Sequence, residues 1–200
     1  MSLGHAESSD EMLMVRYKRG DRDAFAELVR RYQRPLFNFS LRYVGKSELA
    51  ADITQETFLK VVKRSADFKH ESRFSTWLFA ITRNLCIDEL RRLKHRRHTP
   101  LDELGNTAKV GDAPPPSPSL DAEQSTAASE IGDCIVRAID HLPEDQKEVF
   151  LLRQLGGIPF AEIALVVGTN ENTVKSRMRY ALERLQQELS EFEEYARALR

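Results

Sequence analysis

The side chains best suited to act on another molecule are cations and amides set at helical intervals, not nucleophiles. Lys175, Ser176, Arg177 and Arg179, with Tyr180 beside them, fall on one predicted helix, and Glu171 and Thr173 stand in its first turn. Arg and Lys donate to guanine edges or phosphates and Ser can do either, at about 1 to 3 kcal/mol per well-placed base contact. A second group lies upstream, where Phe68, Phe74 and Trp77 precede Arg83, Arg91, Arg92, Lys94, Arg96 and Arg97. Against Asp88 and Glu89 these cations leave residues 83 to 98 at +4 before His95 and His98 are counted. Aromatics interleaved with cations suit unstacked single-stranded bases: rings stack at about 1 to 3 kcal/mol per base and cations hold phosphates. Trp77, set between Ser75-Thr76 and Leu78-Phe79, suits core packing as well as base contact.

A third group occupies SELAADITQETFLKVVKRS. Ala50, Ile53, Thr57, Phe58 and Val61 fall on one helical face and Asp52, Gln55, Glu56, Leu59 and Lys63 on another. The second face reads equally as a solvated surface or as a dock for a basic, partly apolar helix of a partner.

Catalysis is not expected. His5, His70, His95, His98 and His141 are scattered, no acid–base pair stands near a nucleophile, and no glycine-rich phosphate loop occurs. Cys86 and Cys134 lack a CxxC partner, so they read as buried free thiols rather than a disulfide or zinc site. No metal or cofactor is implied.

The elements that must position these groups are helices. From Ser9 to His98 apolar residues recur three and four apart, as in the stripe Phe25, Leu28, Val29 and Tyr32. Gly20 and the Gly45-Lys46-Ser47 turn are breaks, and Pro35 either kinks its helix or begins a new one. Residues 99 to 129 change character, with Pro100, Pro114-Pro115-Pro116 and Pro118, and too little apolar content to offset ordering entropy. Helical periodicity resumes at Ile131, with turns at Leu142-Pro143 and Gly156-Gly157. The expected fold is all-α: two small helical domains, 9–98 and 130–200, joined by a flexible Pro-rich linker, 99–129.

Within the second domain, PFAEIALVVGTNENTVKSRMRYALERL has the spacing of a helix-turn-helix. Counted from Phe160, Ile163, Ala164, Val167, Val174 and Met178 take positions 4, 5, 8, 15 and 19. The small Ala164 lets two helices cross closely, Gly168 permits the turn, and Asn170 is a suitable cap for the second helix.

The 200 residues, 41% hydrophobic and 30% charged, carry a net charge of -1 that is unevenly spread. Residues 1–98 sum to +7, while 99–129 and 130–200 are each -4, so a polyanion would meet local basic patches. No run reaches the roughly 18 apolar residues of a membrane span, and MSLGHAESSDEML lacks a signal-peptide pattern, which gives a cytoplasmic expectation.

Together, DITQETFLKV, FSTWLFAITRN with its basic continuation, LPEDQKEVFLLR and PFAEIALVVGTNENTVKSRM resemble the bacterial RNA polymerase sigma factors, specifically the two-domain extracytoplasmic-function (ECF) group. The motifs span most of residues 14 to 186 in the family's order. The resemblance implies a factor that binds core RNA polymerase, reads the minus-ten and minus-thirty-five promoter elements and promotes melting, without enzymatic chemistry. It implies a polymerase contact through Asp52, Gln55, Glu56 and Leu59. It also implies a minus-ten site in which the 67–75 loop, with Phe68, Lys69 and Arg73, captures a flipped base beside Trp77. Asn84 matches the family's base-contacting Asn, and Arg83, Arg91 and Arg92 would hold backbone. The minus-thirty-five element would be read as duplex by Glu171, Thr173, Lys175, Ser176, Arg177 and Arg179. Tyr180 departs from a common version of the motif that carries Arg there, and is expected to join the minus-thirty-five contacts by reaching a phosphate. An anti-sigma protein is a further implied partner, and membrane insertion is not.

The main rival is a stand-alone dimeric helix-turn-helix regulator, with Leu182, Leu185, Leu189, Phe192, Ala196 and Leu199 as its seam. An all-helical enzyme is more distant.

Overall fold

A computed structural model describes residues 8–69, 73–98 and 132–198. Among these the regular structure is helical throughout, with no strand. The chain divides into two compact units, the first built on α1 (Asp10–Lys18), α2 (Arg22–Val44), α3 (Ser47–Lys63) and α4 (Phe74–His98). The second contains α5 (132–140), α6 (Glu144–Gln154), α7 (Phe160–Val167) and α8 (Glu171–Ala198). The expected linker, 99–129, lies outside the described residues.

Local chemistry sets the ends of the first unit's helices. The Ser9 hydroxyl accepts from Met12 N at 3.2 Å to start α1, and Asp21 accepts from the amides of Asp23 and Ala24 at 3.0 and 3.2 Å to start α2. Arg16 Nε also donates to Asp21 at 2.9 Å, and this guanidinium, followed by the Ala24 amide, holds the Asp21 carboxyl below its ordinary range. α2 runs through Pro35 without a new start and ends at Gly45, whose φ of +71° favours glycine.

The first core is aromatic and aliphatic. Leu28, Leu36, Phe39, Phe79, Leu78 and Val61 are fully buried, each contributing about 1.5 to 3 kcal/mol of apolar burial. Phe39 and Phe79 meet edge-on with centroids 5.3 Å apart. The anticipated core face of α3 is in place, with Ala50, Ile53, Thr57 and Val61 buried and Phe58 half-buried against Phe25. Thr57 also faces α4, its hydroxyl 3.2 Å from that of Thr82. Cys86 and Cys134 are buried free thiols, and burial pushes the Cys86 thiol up to about 12.

In the second unit Ala138 and Leu142 bury against Ala181 and Leu185 of α8. Leu185 is therefore part of the unit's own core, so the proposed dimer seam loses one of its members. Leu182 is 47% exposed, and the side chains of Phe192, Ala196 and Leu199 lie outside the described residues.

Candidate nucleic-acid and polymerase interfaces

α3 presents its second face outward. Asp52 and Gln55 are exposed, Glu56 is half-buried, and Leu59 is 44% exposed, with Val62 nearby at 40%. Two carboxylates, an amide and two aliphatic side chains form a ridge suited to a basic, partly apolar partner helix.

The aromatic group differs from the sequence expectation in one respect. Phe68, expected as a ring open to a base, is only 4% exposed, and Phe74 is fully buried. The cause is mutual packing: Phe68 lies 5.8 Å from Phe74 and 5.3 Å from Trp77, and Phe74 meets Tyr32 at 5.5 Å. Trp77 is half-buried, its ring 5.3 Å from Phe68 and 6.2 Å from Phe74. Asn84 and Arg91 are exposed and follow Trp77 at intervals of seven, which sets an aromatic, an amide and a cation along one face about 10 Å apart. Lys69 and Arg73 are exposed and Arg83 is half-buried. Arg91 and Arg92 pair with Asp88 at 3.7 Å and Glu89 at 3.0 Å, exposed contacts of about 0 to 1 kcal/mol that a phosphate replaces at little cost.

What fixes this group in place was not visible in sequence. α1 reaches across to it: Lys18 Nζ donates to the carbonyls of Ala66 at 3.4 Å and Phe68 at 3.2 Å. Glu11 accepts from the backbone N–H of Phe74, the first residue of α4, at 2.9 Å. Asp10 ties α1 to α2 by accepting from Arg31 at 2.8 Å and from the Tyr32 hydroxyl at 2.5 Å. Burial, then the bond to Asp10, raises the Tyr32 phenol above the ordinary tyrosine range.

The helix-turn-helix forms as its spacing predicts. Ile163, Ala164, Val174 and Met178 are buried, Gly168 ends α7 with φ +78°, and Asn170 Oδ1 accepts from Thr173 N at 2.8 Å to cap α8. Glu171, Lys175, Ser176, Arg179 and Tyr180 are exposed on α8, with Thr173 and Arg177 half-buried. Lys175 pairs with Glu171 at 2.7 Å and Arg179 with Glu183 at 3.7 Å, both within the helix. The Arg179 guanidinium also lies 4.8 Å above the Tyr180 ring, so Tyr180 stations a neighbouring cation even though it is not one. Arg177 instead meets Asp145 of α6 at 3.0 Å.

Residues 28–96 match the family model described as Sigma-70 region 2, and residues 132–185 match that described as Sigma-70, region 4. The ECF RNA polymerase sigma-E factor of Haemophilus influenzae is 32% identical over 182 residues, covering 90% of this chain and 95% of the relative. The chain belongs to the ECF RNA polymerase sigma factors. The ECF sigma factor SigM of Mycobacterium tuberculosis is 31% identical over 91% of this chain and 85% of its own length. Among solved structures, the sigma factor RpoE of Bartonella quintana, in complex with the anti-sigma factor NepR, is 26% identical with a TM-score of 0.65 over 83% of this chain and 96% of its own. CnrH, solved with the cytosolic domain of CnrY, shares the fold at 21% identity and a TM-score of 0.64, covering 92% of this chain and 98% of that one.

As an ECF sigma factor the chain binds core RNA polymerase and directs it to promoters, and sigma factors are DNA-binding initiation factors. The regulator reading gives way to this one. Among the described residues no helix is long and apolar enough to cross a membrane, and no group of three or more His, Cys, Asp or Glu is placed to hold a metal.

Proposed function

We propose the following assignment within the sigma-factor role. Residues 9–98 form the polymerase-docking and minus-ten domain, 99–129 an acidic connecting segment, and 130–200 the minus-thirty-five domain. Asp52, Gln55, Glu56 and Leu59 contact core polymerase. Lys175, Ser176, Arg177 and Arg179, with Glu171, Thr173 and Tyr180 at the margins, meet duplex DNA.

The observation that carries the minus-ten assignment is the stripe Trp77, Asn84 and Arg91 on one face of α4. Trp77 offers a stacking edge, Asn84 donors and an acceptor for a base edge, and Arg91, with Arg92 and Arg83, charge for phosphates. Phe68 is the back wall of the base site, and Lys69 and Arg73 are exposed cations at its rim. The chain works in the cytoplasm, without cofactor and without making or breaking covalent bonds. Unstacking a base costs a few kcal/mol, offset by the captured base and by polymerase contacts.

An anti-sigma protein is a further proposed partner. The Bartonella quintana relative was solved with one, and this chain exposes Met12, Leu59, Val62, Leu165 and Leu182, apolar surface that a partner would cover. The decisive experiment is transcription with reconstituted holoenzyme carrying Asn84→Ala or Phe68→Ala, each verified as polymerase-bound. Open-complex formation is expected to fall for both, and undiminished melting with Asn84→Ala removes the assignment.

A further inference from the structure

We infer that Lys18 and Glu11 of α1 are positioning residues for the single-strand site, holding the backbones of Phe68 and Phe74 where one minus-ten base is captured. This rests on the reading of Phe68, Trp77 and Asn84 as that site. The two contacts fall on the two phenylalanines whose rings meet at 5.8 Å: Lys18 Nζ donates to the Phe68 carbonyl, and Glu11 accepts from the Phe74 amide. Lys18 also takes the Ala66 carbonyl, so one ammonium closes the end of the 3₁₀ turn Ser65–Asp67.

Glu11 occupies the N-terminus of α4, where a carboxylate satisfies an otherwise unpaired N–H and complements the helix dipole. α1 is itself fastened to α2 through Asp10, by Arg31 and Tyr32. Lys18 is exposed, so its bonds add little to the fold. Their consequence is geometric, because a binding constellation must be held within about 0.5 Å to discriminate. No DNA contact by α1 is required.

The test uses holoenzyme reconstituted with the full chain and a promoter that the wild-type holoenzyme selects from a randomised library. Affinity is measured for the single-stranded minus-ten oligonucleotide and for versions abasic at each position in turn. Wild type is expected to lose most at one captured position. Lys18→Met and Glu11→Ala each reduce the discrimination there about fivefold, the size of one net hydrogen bond, and leave the other positions and core-polymerase affinity unchanged; the thermal midpoint holds in Lys18→Met and falls modestly in Glu11→Ala, which loses a helix cap. Lys18→Arg and Glu11→Gln keep a donor and an acceptor and restore it.

Wild-type discrimination in both disruptive variants, an equal loss at every position, or in Lys18→Met a loss that tracks a falling thermal midpoint overturns the inference. Glu11→Ala carries the measurement if Lys18→Met does not fold. A wild-type profile with no captured position, unchanged by Asn84→Ala, overturns the underlying site assignment instead and the inference with it.

Discussion

Arg177 on α8 is held by Asp145 on α6, Nε to Oδ2 at 3.0 Å, with the arginine side chain 26% exposed. Lys175 and Arg179 pair within α8, so among the three proposed readers Arg177 is the one held by another helix. An arginine engaged through Nε still carries four N–H donors on its terminal amino groups, enough for a base edge or a phosphate.

Asp145→Asn removes both the orienting partner and an acidic group near the proposed duplex face. Affinity of the holoenzyme for non-promoter duplex is expected to rise, and preference for the matched minus-thirty-five element to fall, each by up to about fivefold. Paired binding titrations on matched and scrambled elements read both. A preference that holds or increases would mean that Asp145 does not orient Arg177 for reading.

Arg91 and Arg92 lie in weak exposed ion pairs, which suits cations that exchange a carboxylate for a phosphate. Replacing both with Ala is expected to lower the salt dependence of single-stranded minus-ten binding by about 0.7 in log–log slope per phosphate contact removed. Asn84→Ala should instead weaken binding at constant slope, because an amide releases no counterion. A slope unchanged in the double arginine variant takes both side chains off the nucleic acid.

The parts legible in sequence were those encoded by neighbours. Gly168, Asn170 and the spacing of Ile163, Ala164, Val174 and Met178 lie within one short stretch, and the helix-turn-helix formed as expected. The α3 faces were equally readable, because a helix repeats its pattern along itself. The burial of Phe68 was not, since its polar neighbours carry no apolar periodicity and its cover comes from Phe74 and Trp77. The α1 contacts were invisible for a related reason: Lys18 meets Phe68, and Glu11 meets Phe74, at separations of 50 and 63 residues. No capping rule looks that far. Pro35 left two helix layouts open until packing of α2 against its neighbours settled on one continuous helix.

Cys86 gives a pH dependence with a defined sign. Burial raises the folded thiol to about 12 from an ordinary value of 9.0. The unfolded chain therefore loses this proton first. Stability from the neutral buried thiol is complete below about pH 9 and is lost as pH rises towards 12, by at most about 1.4 kcal/mol per pH unit. Denaturant unfolding between pH 8 and 10.5 is expected to show a shallower decline in Cys86→Ala than in wild type, while Tyr32, also raised, bends both curves at the alkaline end. Parallel curves would show that the thiol titrates alike in both states. The same burial keeps Cys86 unreactive to iodoacetamide at pH 8 until the chain unfolds.

The cap of α8 separates stability from DNA binding. Asn170 Oδ1 accepts from Thr173 N at 2.8 Å, and Asn170→Ala is expected to destabilise the second unit by about 1 kcal/mol and to weaken duplex binding as the first turn frays. Gly168→Ala should cost a similar amount by a different route: φ is +78° and an added Cβ meets nothing within 4 Å, so the penalty is the left-handed backbone alone. Asn170→Asp keeps an acceptor and adds a negative charge beside the proposed duplex face. Its melting midpoint is expected to match or exceed wild type while its affinity for the minus-thirty-five duplex falls, most strongly at low salt. Thermal melts and duplex titrations on the same preparations decide the matter, because duplex affinity that follows stability across all three variants would remove the start of α8 from the DNA-facing surface.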